Sequence, residues 1–240
     1  MDFYSQISKY YNDIFPLNKA QISFVTSYLN QRGSIGSMLD IGCGTGGLSI
    51  GLHNYFDVIS AIDTNEEMLK IARAKASGKN IDFTNMSMME IDKIFPYNAF
   101  NIVLCFGNTV VHLQSIEEIE LFFNNVATIL VEGGKFLFQI INYDNVLDNK
   151  LSGLPTIEND RIKFERKYLL NENNMIDFST ILTIKDTGEE IVSSVVLFPI
   201  RKIEVEQTLK NAGFKNIKSY SSFTKKEYSR DSLPLIFECY

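Results

Sequence analysis

One stretch restricts the fold more than any other: Met38-Leu39-Asp40-Ile41-Gly42-Cys43-Gly44-Thr45-Gly46-Gly47, with Ala61-Ile62-Asp63 downstream of it. An apolar run ends on an acid, breaks into four glycines, and re-enters a helical pattern carrying Leu48, Ile50 and Leu52. A second apolar run then ends on Asp63. Glycines at such a turn let backbone amides approach a ligand, because no Cβ intervenes. A carboxylate closing the next parallel strand is placed to accept hydrogen bonds from both hydroxyls of a ribose. The pattern therefore predicts adenosine recognition at the strand ends of a doubly wound α/β sheet. A tight turn that binds nothing explains the glycines but not the distant carboxylate.

The chain of 240 residues suffices for one domain with a small appendage. Its net charge of -6 argues against a large nucleic-acid footprint. No apolar run approaches the roughly 20 residues of a membrane span. Met1 to Ser5 lacks the basic and apolar regions of a signal peptide. Cys43, Cys105 and Cys239 are odd in number and show no C-x-x-C spacing, which favours reduced thiols and a cytoplasmic location. His53 and His112 are the two histidines, and no metal-ligand cluster is expected.

Tyr4, Ile7, Tyr10, Tyr11, Ile14 and Phe15 recur at helical spacing, Pro16 interrupts, and Ile22 to Leu29 resumes a second helix. Residues 1–36 read as a helical cap. From Met38 strands and helices alternate, the pattern of a parallel sheet. Further strands fall at Asp57 to Ile62, Asn80 to Thr84, Asn101 to Phe106 and Lys135 to Ile141. Thr64 with Glu67, and Ser115 with Glu118, read as capping boxes. The second opens a helix burying Ile116, Ile119, Phe123, Val126 and Leu130, closed by Gly133-Gly134.

After Pro155 the period changes to two. Ile162, Phe164, Arg166 and Tyr168 alternate with Lys163, Glu165 and Lys167, and two similar runs follow up to Phe198. Residues 155–198 are thus expected to be an inserted three-stranded antiparallel sheet, either a lid or a subunit interface. Residues 37–154 and 199–240 form the main domain, closed by a helix and a C-terminal antiparallel β-pair. The fold class is α/β, with a seven-stranded, mostly parallel sheet.

Gly42-Cys43-Gly44-Thr45-Gly46-Gly47 also satisfies G-x-G-x-x-G, a weak dinucleotide signal by itself. Asp40 tilts the choice. A carboxylate beside the loop suits a cationic amino group and repels a pyrophosphate. The pattern D-x-G-x-G-x-G resembles the first motif of class I S-adenosylmethionine-dependent methyltransferases, and Asp63 resembles their ribose-binding acid. Cys105-Phe106-Gly107-Asn108-Thr109-Val110-Val111-His112-Leu113 looks like the C-x-G-N-S-x-x-H-L segment of glycine and sarcosine N-methyltransferases. Ile140 to Leu147 is similar to their R-N-Y-D-x-I-L stretch.

The resemblance implies a Rossmann-like methyltransferase fold that uses S-adenosylmethionine and releases S-adenosylhomocysteine. Gly42, Gly44 and Gly46 would wrap the methionine part, with Asp40 near its amino group. Asp63 would hold the ribose, with Thr64 and Met68 lining ribose and adenine. Ser87 stands where the family places an acid for the adenine amino group, and Met88 would offer its backbone to a ring nitrogen. Phe106 follows the fourth strand near the methionine portion. Tyr11, with Tyr4, lies in the segment that covers the cofactor in such enzymes.

The implied reaction is in-line displacement at the methyl carbon by nitrogen or oxygen of a small-molecule acceptor. Alignment and desolvation then matter more than a catalytic triad. His112 is the candidate base, against the alternative of a hydrogen-bonded structural histidine. Asn142 and Tyr143, at the end of the fifth strand, are candidate acceptor contacts. Glycine is a doubtful acceptor. The stretch Val195 to Phe198 lacks the arginine of glycine-type enzymes, Ile141 replaces another, and only Arg201 stands nearby. A non-catalytic S-adenosylmethionine-binding protein and a nicotinamide-dependent oxidoreductase remain the rival readings. A homodimer is left open.

Overall fold

Strands β1 (Ser37–Ile41), β2 (Val58–Asp63), β3 (Ile81–Asn85), β4 (Phe100–Cys105) and β5 (Leu130–Ile141) pair in parallel in the order 5-4-1-2-3. They come from a computed structural model that describes residues 3–29 and 36–240. Parts of the expected N-terminal cap, residues 1–2 and 30–35, lie outside the described residues. The central strands are near-continuous apolar runs because helices cover both sheet faces. Met38, Leu39 and Ile41 of β1, and Ile102 to Cys105 of β4, are all buried. The strand order reverses between β1 and β4, and α/β sheets bind ligands outside the carboxyl ends at such a point.

A second sheet lies between β5 and the C-terminal strands in sequence. It contains β6 (Gly153–Glu158), β7 (Ile162–Leu170), β8 (Ile176–Ile184) and β9 (Glu190–Leu197), all antiparallel neighbours. The three expected strands are therefore joined by a fourth, β6. Pro155 hid it, yet proline is tolerated on an edge strand, and the ladder shifts register between Leu154 and Ile157. Strands β10 (Ile217–Tyr220) and β11 (Pro234–Cys239) complete the first sheet as its antiparallel edge, β11 against β5.

The N-terminal pattern forms two short helices, α1 (Phe3–Ile7) and α2 (Tyr11–Ile14), joined by a 3-10 turn, before α3 (Lys19–Thr26). Phe3, Ile7 and Ile14 cluster with Ile162, Phe164, Leu182 and Ile184 of the second sheet. That contact buries the apolar alternation of β7 and β8 within the same chain. Arg161 pairs with Asp13 at 2.9 Å across the junction.

Helices α4 (Gly47–Leu52), α5 (Glu66–Lys75), α6 (Ile91–Ile94) and α7 (Ile116–Ile129) connect the parallel strands. The cap of α5 is Asn65, not Thr64: its side chain accepts from the Met68 amide at 2.9 Å. Ser115 caps α7 as expected, while Glu118 accepts from the Gln114 amide instead of closing the box. Leu130 belongs to β5 and not to the helix. Gly133, at φ +74°, sits where the β4–β5 register breaks, so the glycine pair bends a strand instead of ending a helix. Helix α8 (Tyr143–Asp148) follows β5, and α9 (Lys202–Asn211) precedes β10. No helix among the described residues is long and apolar enough to cross a membrane.

Candidate cofactor and acceptor site

The loop after β1 is tied to the end of β2. The Gly42 and Cys43 amides donate to the Ile62 carbonyl at 2.8 and 3.0 Å. The Gly44 amide donates to Asp63 Oδ2 at 2.8 Å, and Asp63 Oδ1 accepts from the Asn65 amide at 2.8 Å. Glycine is required at two of these positions for close approach. A Cβ on Gly42, whose φ is +70°, would stand 2.6 Å from Thr109 in the loop after β4. A Cβ on Gly44, at φ +55°, would meet the Tyr11 ring at 3.3 Å.

These elements wall a cavity of about 850 Å³. Tyr11, Gly42, Gly44 and Asp63 line it on the loop side; Thr64, Met68, Met86 and Met88 line the β2–β3 side; Phe106 and His112 come from after β4. An adjoining cavity of about 440 Å³ shares Tyr4, Tyr11, Gly42, Phe106 and His112, and adds Asp40. The second sheet supplies its far wall through Phe164, Arg166, Tyr168, Phe178 and Leu197.

Residues 3–15 roof both cavities. Thr45 Oγ1 donates to Asn12 Oδ1, and Asn65 Nδ2 donates to Ser5 Oγ, both at 2.8 Å. Ser193 Oγ on β9 donates to Gln6 Oε1 at 2.7 Å. The Tyr4 hydroxyl and His112 Nε2 are 2.8 Å apart. Polar bonds thus fasten the roof to the glycine loop, to α5 and to the second sheet.

Burial sets the charge state of two groups. Desolvation pushes the Asp40 carboxyl up to about 6, reinforced by the charge of Asp63 and opposed by a hydrogen bond from the Ser49 hydroxyl. Desolvation lowers His112 to about 4, so its imidazole is neutral at pH 7. Burial also raises the Tyr4 and Tyr11 hydroxyls, which stay protonated.

Four expected site residues lie elsewhere. Gly46 lines neither cavity: a Cβ there would press on Phe83 at 2.9 Å, so its glycine serves helix–strand packing. Ser87 caps the 3-10 turn Met88–Glu90, accepting from the Met89 amide, and also lines neither cavity. Asn142 is fully buried, its amide group donating to the Arg230 carbonyl at 2.8 Å. Tyr143 is fully buried and lines neither cavity, its hydroxyl accepting from Asn108 Nδ2 at 3.1 Å. The asparagine and tyrosine brace loops because the chain after β5 turns under the sheet edge. Arg201 is engaged by Asp144 and Asp148 and is not a cavity residue.

Arg166 was read only as one member of the β7 alternation. Its signal was a cation in an otherwise apolar inward row. Asn108 also gains a role that needed the tertiary structure. At φ +69° its side chain accepts from the Ile141 amide at 2.8 Å, joining the loop after β4 to the end of β5.

Residues 38–134 match the family described as methyltransferase domain, and that segment carries the glycine loop, Asp63 and the β4 loop. Those residues thus match a methyltransferase domain, and the chain as a whole has the Rossmann-like methyltransferase fold. It is distantly homologous to glycine and sarcosine N-methyltransferases. The glycine/sarcosine N-methyltransferase of Aphanothece halophytica is 25% identical over 81% of this chain and 72% of its own. The glycine N-methyltransferase of Homo sapiens is 29% identical over 46% of this chain and 42% of its own. A Geobacillus sp. (strain WCH70) protein provisionally named a methyltransferase is 33% identical, over 49% of this chain and 48% of its own. The matches to the Geobacillus and human proteins thus span less than half of those relatives' lengths.

In fold, the chain is similar to an S-adenosylmethionine-dependent methyltransferase of Clostridium acetobutylicum ATCC 824. The TM-score is 0.82 at 17% identity, covering 98% of each chain. An amino pentose methyltransferase of Micromonospora echinaspora, solved with S-adenosylmethionine bound, gives a TM-score of 0.66 at 14% identity over 92% of this chain and 88% of its own.

Proposed function

We propose that this chain binds S-adenosylmethionine and directs its methyl group to a nitrogen or oxygen of a small-molecule acceptor. The observation that carries the reading is Asp63, held at the end of β2 by the Gly44 amide and facing the larger cavity. A carboxylate oxygen can accept from more than one donor, so a ribose hydroxyl can join the Gly44 and Asn65 amides on Asp63. The cradle fits the cofactor: glycines at 42 and 44 put no Cβ between the loop and the cavity, and Met68, Met86 and Met88 give an apolar slot for a purine.

When bound, the sulfonium cofactor supplies an electrophilic methyl group with a good leaving group. The protein's work is then alignment and exclusion of water. Asp40, across the smaller cavity, attracts a cationic amino group. The roof of residues 3–15 shields the junction of the two cavities, where Tyr4, Phe106 and His112 meet. The neutral imidazole there receives a proton from an arriving nucleophile, directly or through the Tyr4 hydroxyl. The aminosugar and amino-acid acceptors named for its relatives support a small acceptor here.

Calorimetric titration with S-adenosylmethionine, with NAD(H) and NADP(H) alongside, tests the reading. Micromolar binding of S-adenosylmethionine alone is expected. Binding of a nicotinamide cofactor alone would replace it with an oxidoreductase. Binding of S-adenosylmethionine with no transfer to any amine or hydroxyl in a metabolite panel would leave a non-catalytic binding protein.

A further inference from the structure

The inward row of β7 is Ile162, Phe164, Arg166 and Tyr168, and the arginine interrupts it. Its register neighbours are Leu154 on β6 and Thr180 on β8. One Nη group donates to the Pro155 carbonyl. The Nε is buried without a hydrogen-bond partner, and so is Oγ1 of the neighbouring Thr180. Five arginines fall among the described residues, and the other four each pair with an acid: Arg73 with Glu66, Arg161 with Asp13, Arg201 with Asp144, and Arg230 with Asp148. Arg166 has no such acid.

A partly buried guanidinium whose Nε is cut off from solvent, with no counter-charge among the described residues, is costly to keep folded. Burial lowers its pKa, yet a guanidinium remains charged at neutral pH. Among the described residues, Arg166 is the one lysine or arginine that lines either cavity. Around it stand Phe164, Tyr168, Phe178, Leu154 and Leu197, an apolar and aromatic wall. Asp40 lies on the opposite, glycine-loop side of the same cavity. That polarity would draw an anion toward the second sheet and a cation toward the loop. A single arginine matches a monoanion, and its planar fork matches a carboxylate; a phosphate dianion would leave one charge buried and uncompensated.

We propose that the sheet-side half of the smaller cavity takes a methyl acceptor bearing a carboxylate on an apolar body, with Arg166 receiving the carboxylate. The proposal rests on the methyltransferase reading for calling that molecule the acceptor. It places the specificity-determining cation on β7, at a residue that also shapes the wall of the cavity.

The test uses three probes of one shape on the full-length protein, free and saturated with S-adenosylhomocysteine: phenylacetate, phenylacetamide and benzylphosphonate. Affinities are read by ligand-observed NMR titration. Phenylacetate is expected to bind at least about tenfold more tightly than its amide, and more tightly than the phosphonate. Arg166→Gln should erase the preference and Arg166→Lys should retain part of it, with S-adenosylmethionine affinity unchanged in both and folding checked by thermal melts. Equal affinity for acid and amide, no binding of either, or a preference that survives Arg166→Gln overturns the proposal. Tighter binding of the phosphonate overturns the carboxylate assignment. Loss of S-adenosylmethionine affinity in both variants, with the probes unaffected, would give Arg166 to the cofactor's own carboxylate instead. Failure of the wild type to bind S-adenosylhomocysteine sinks the methyltransferase reading, while the free-protein titrations still decide the anion site.

Discussion

The Tyr4 hydroxyl meets Nε2 of His112 at 2.8 Å, joining the first helix to the turn after β4 across 108 positions of sequence. In the Nδ1–H tautomer the tyrosine donates; in the other it accepts. Either arrangement holds the ring where the two cavities share His112 as a lining residue, and the neutral charge state follows from burial.

That pair makes a pH prediction. The folded His112 value of about 4 lies below the ordinary one, so between pH 6.5 and 4 the unfolded chain binds the extra proton. Stability from this group is therefore present above about pH 6.5 and lost as pH falls toward 4. One of the two imidazole signals should titrate near pH 4 by NMR, and His112→Asn should remove that signal and flatten the acid limb of the melting temperature. Tyr4→Phe should cost about 1 kcal/mol of stability, read from denaturant melts.

Asp40 titrates in the opposite sense. Its raised value, about 6, means that the folded state binds the proton first; stability from this group is present below the unfolded value and lost as pH rises through 6. A cationic amino group needs the ionised form. S-adenosylmethionine affinity should fall by about tenfold between pH 7 and 5, and Asp40→Asn should be weak at both pH values. Equal slopes in mutant and wild type would remove Asp40 from the cofactor site.

Asp63→Ala should weaken S-adenosylmethionine binding by about 1.5–3 kcal/mol, as expected for hydrogen bonds to a charged acceptor. The same change frees the Gly44 amide, so the calorimetry should be paired with a melt to separate binding from folding.

Two glycine substitutions should separate packing from ligand approach. Gly46→Ala puts a methyl 2.9 Å from the Phe83 ring at φ +73°, and should lower stability by about 1–3 kcal/mol. Gly107→Ala meets no atom within 4 Å, although its φ is +79°, and should cost only the backbone strain of about 1 kcal/mol. Chemical denaturation of both variants measures the difference.

Asn142→Ala should destabilise the protein by about 1–3 kcal/mol, since the Ser229 and Arg230 carbonyls lose their shared donor. Cofactor affinity in the folded fraction should stay at the wild-type value, and a selective loss of acceptor binding would restore Asn142 as a contact.

Local sequence was sufficient for the cofactor side. Asp40, the glycines and Asp63 lie at the ends of strands whose apolar runs specify a parallel sheet, so strand-end geometry brings them together. Met68 and Met88 follow the next strand ends and line the larger cavity. Capping was harder to read: Asn65 takes the cap expected of Thr64, and Ser87 caps a 3-10 turn, because hydroxyl residues at a helix start serve either as caps or as ligands and only the observed bonds decide. The acceptor side depended on contacts that span the chain. Phe3 to Phe15 roofs a cavity whose far wall begins near residue 154, and Arg166 becomes informative only once its neighbours prove to hold no acid for it. Periodicity specifies which face of a strand is inward but not what that face will meet. The amino-acid order by itself determined the sheet, the glycine loop and the placing of Asp63 at the end of β2; tertiary packing alone decided the roof, the charge states of Asp40 and His112, and the lone cation, because burial and partners are properties of segments distant in sequence.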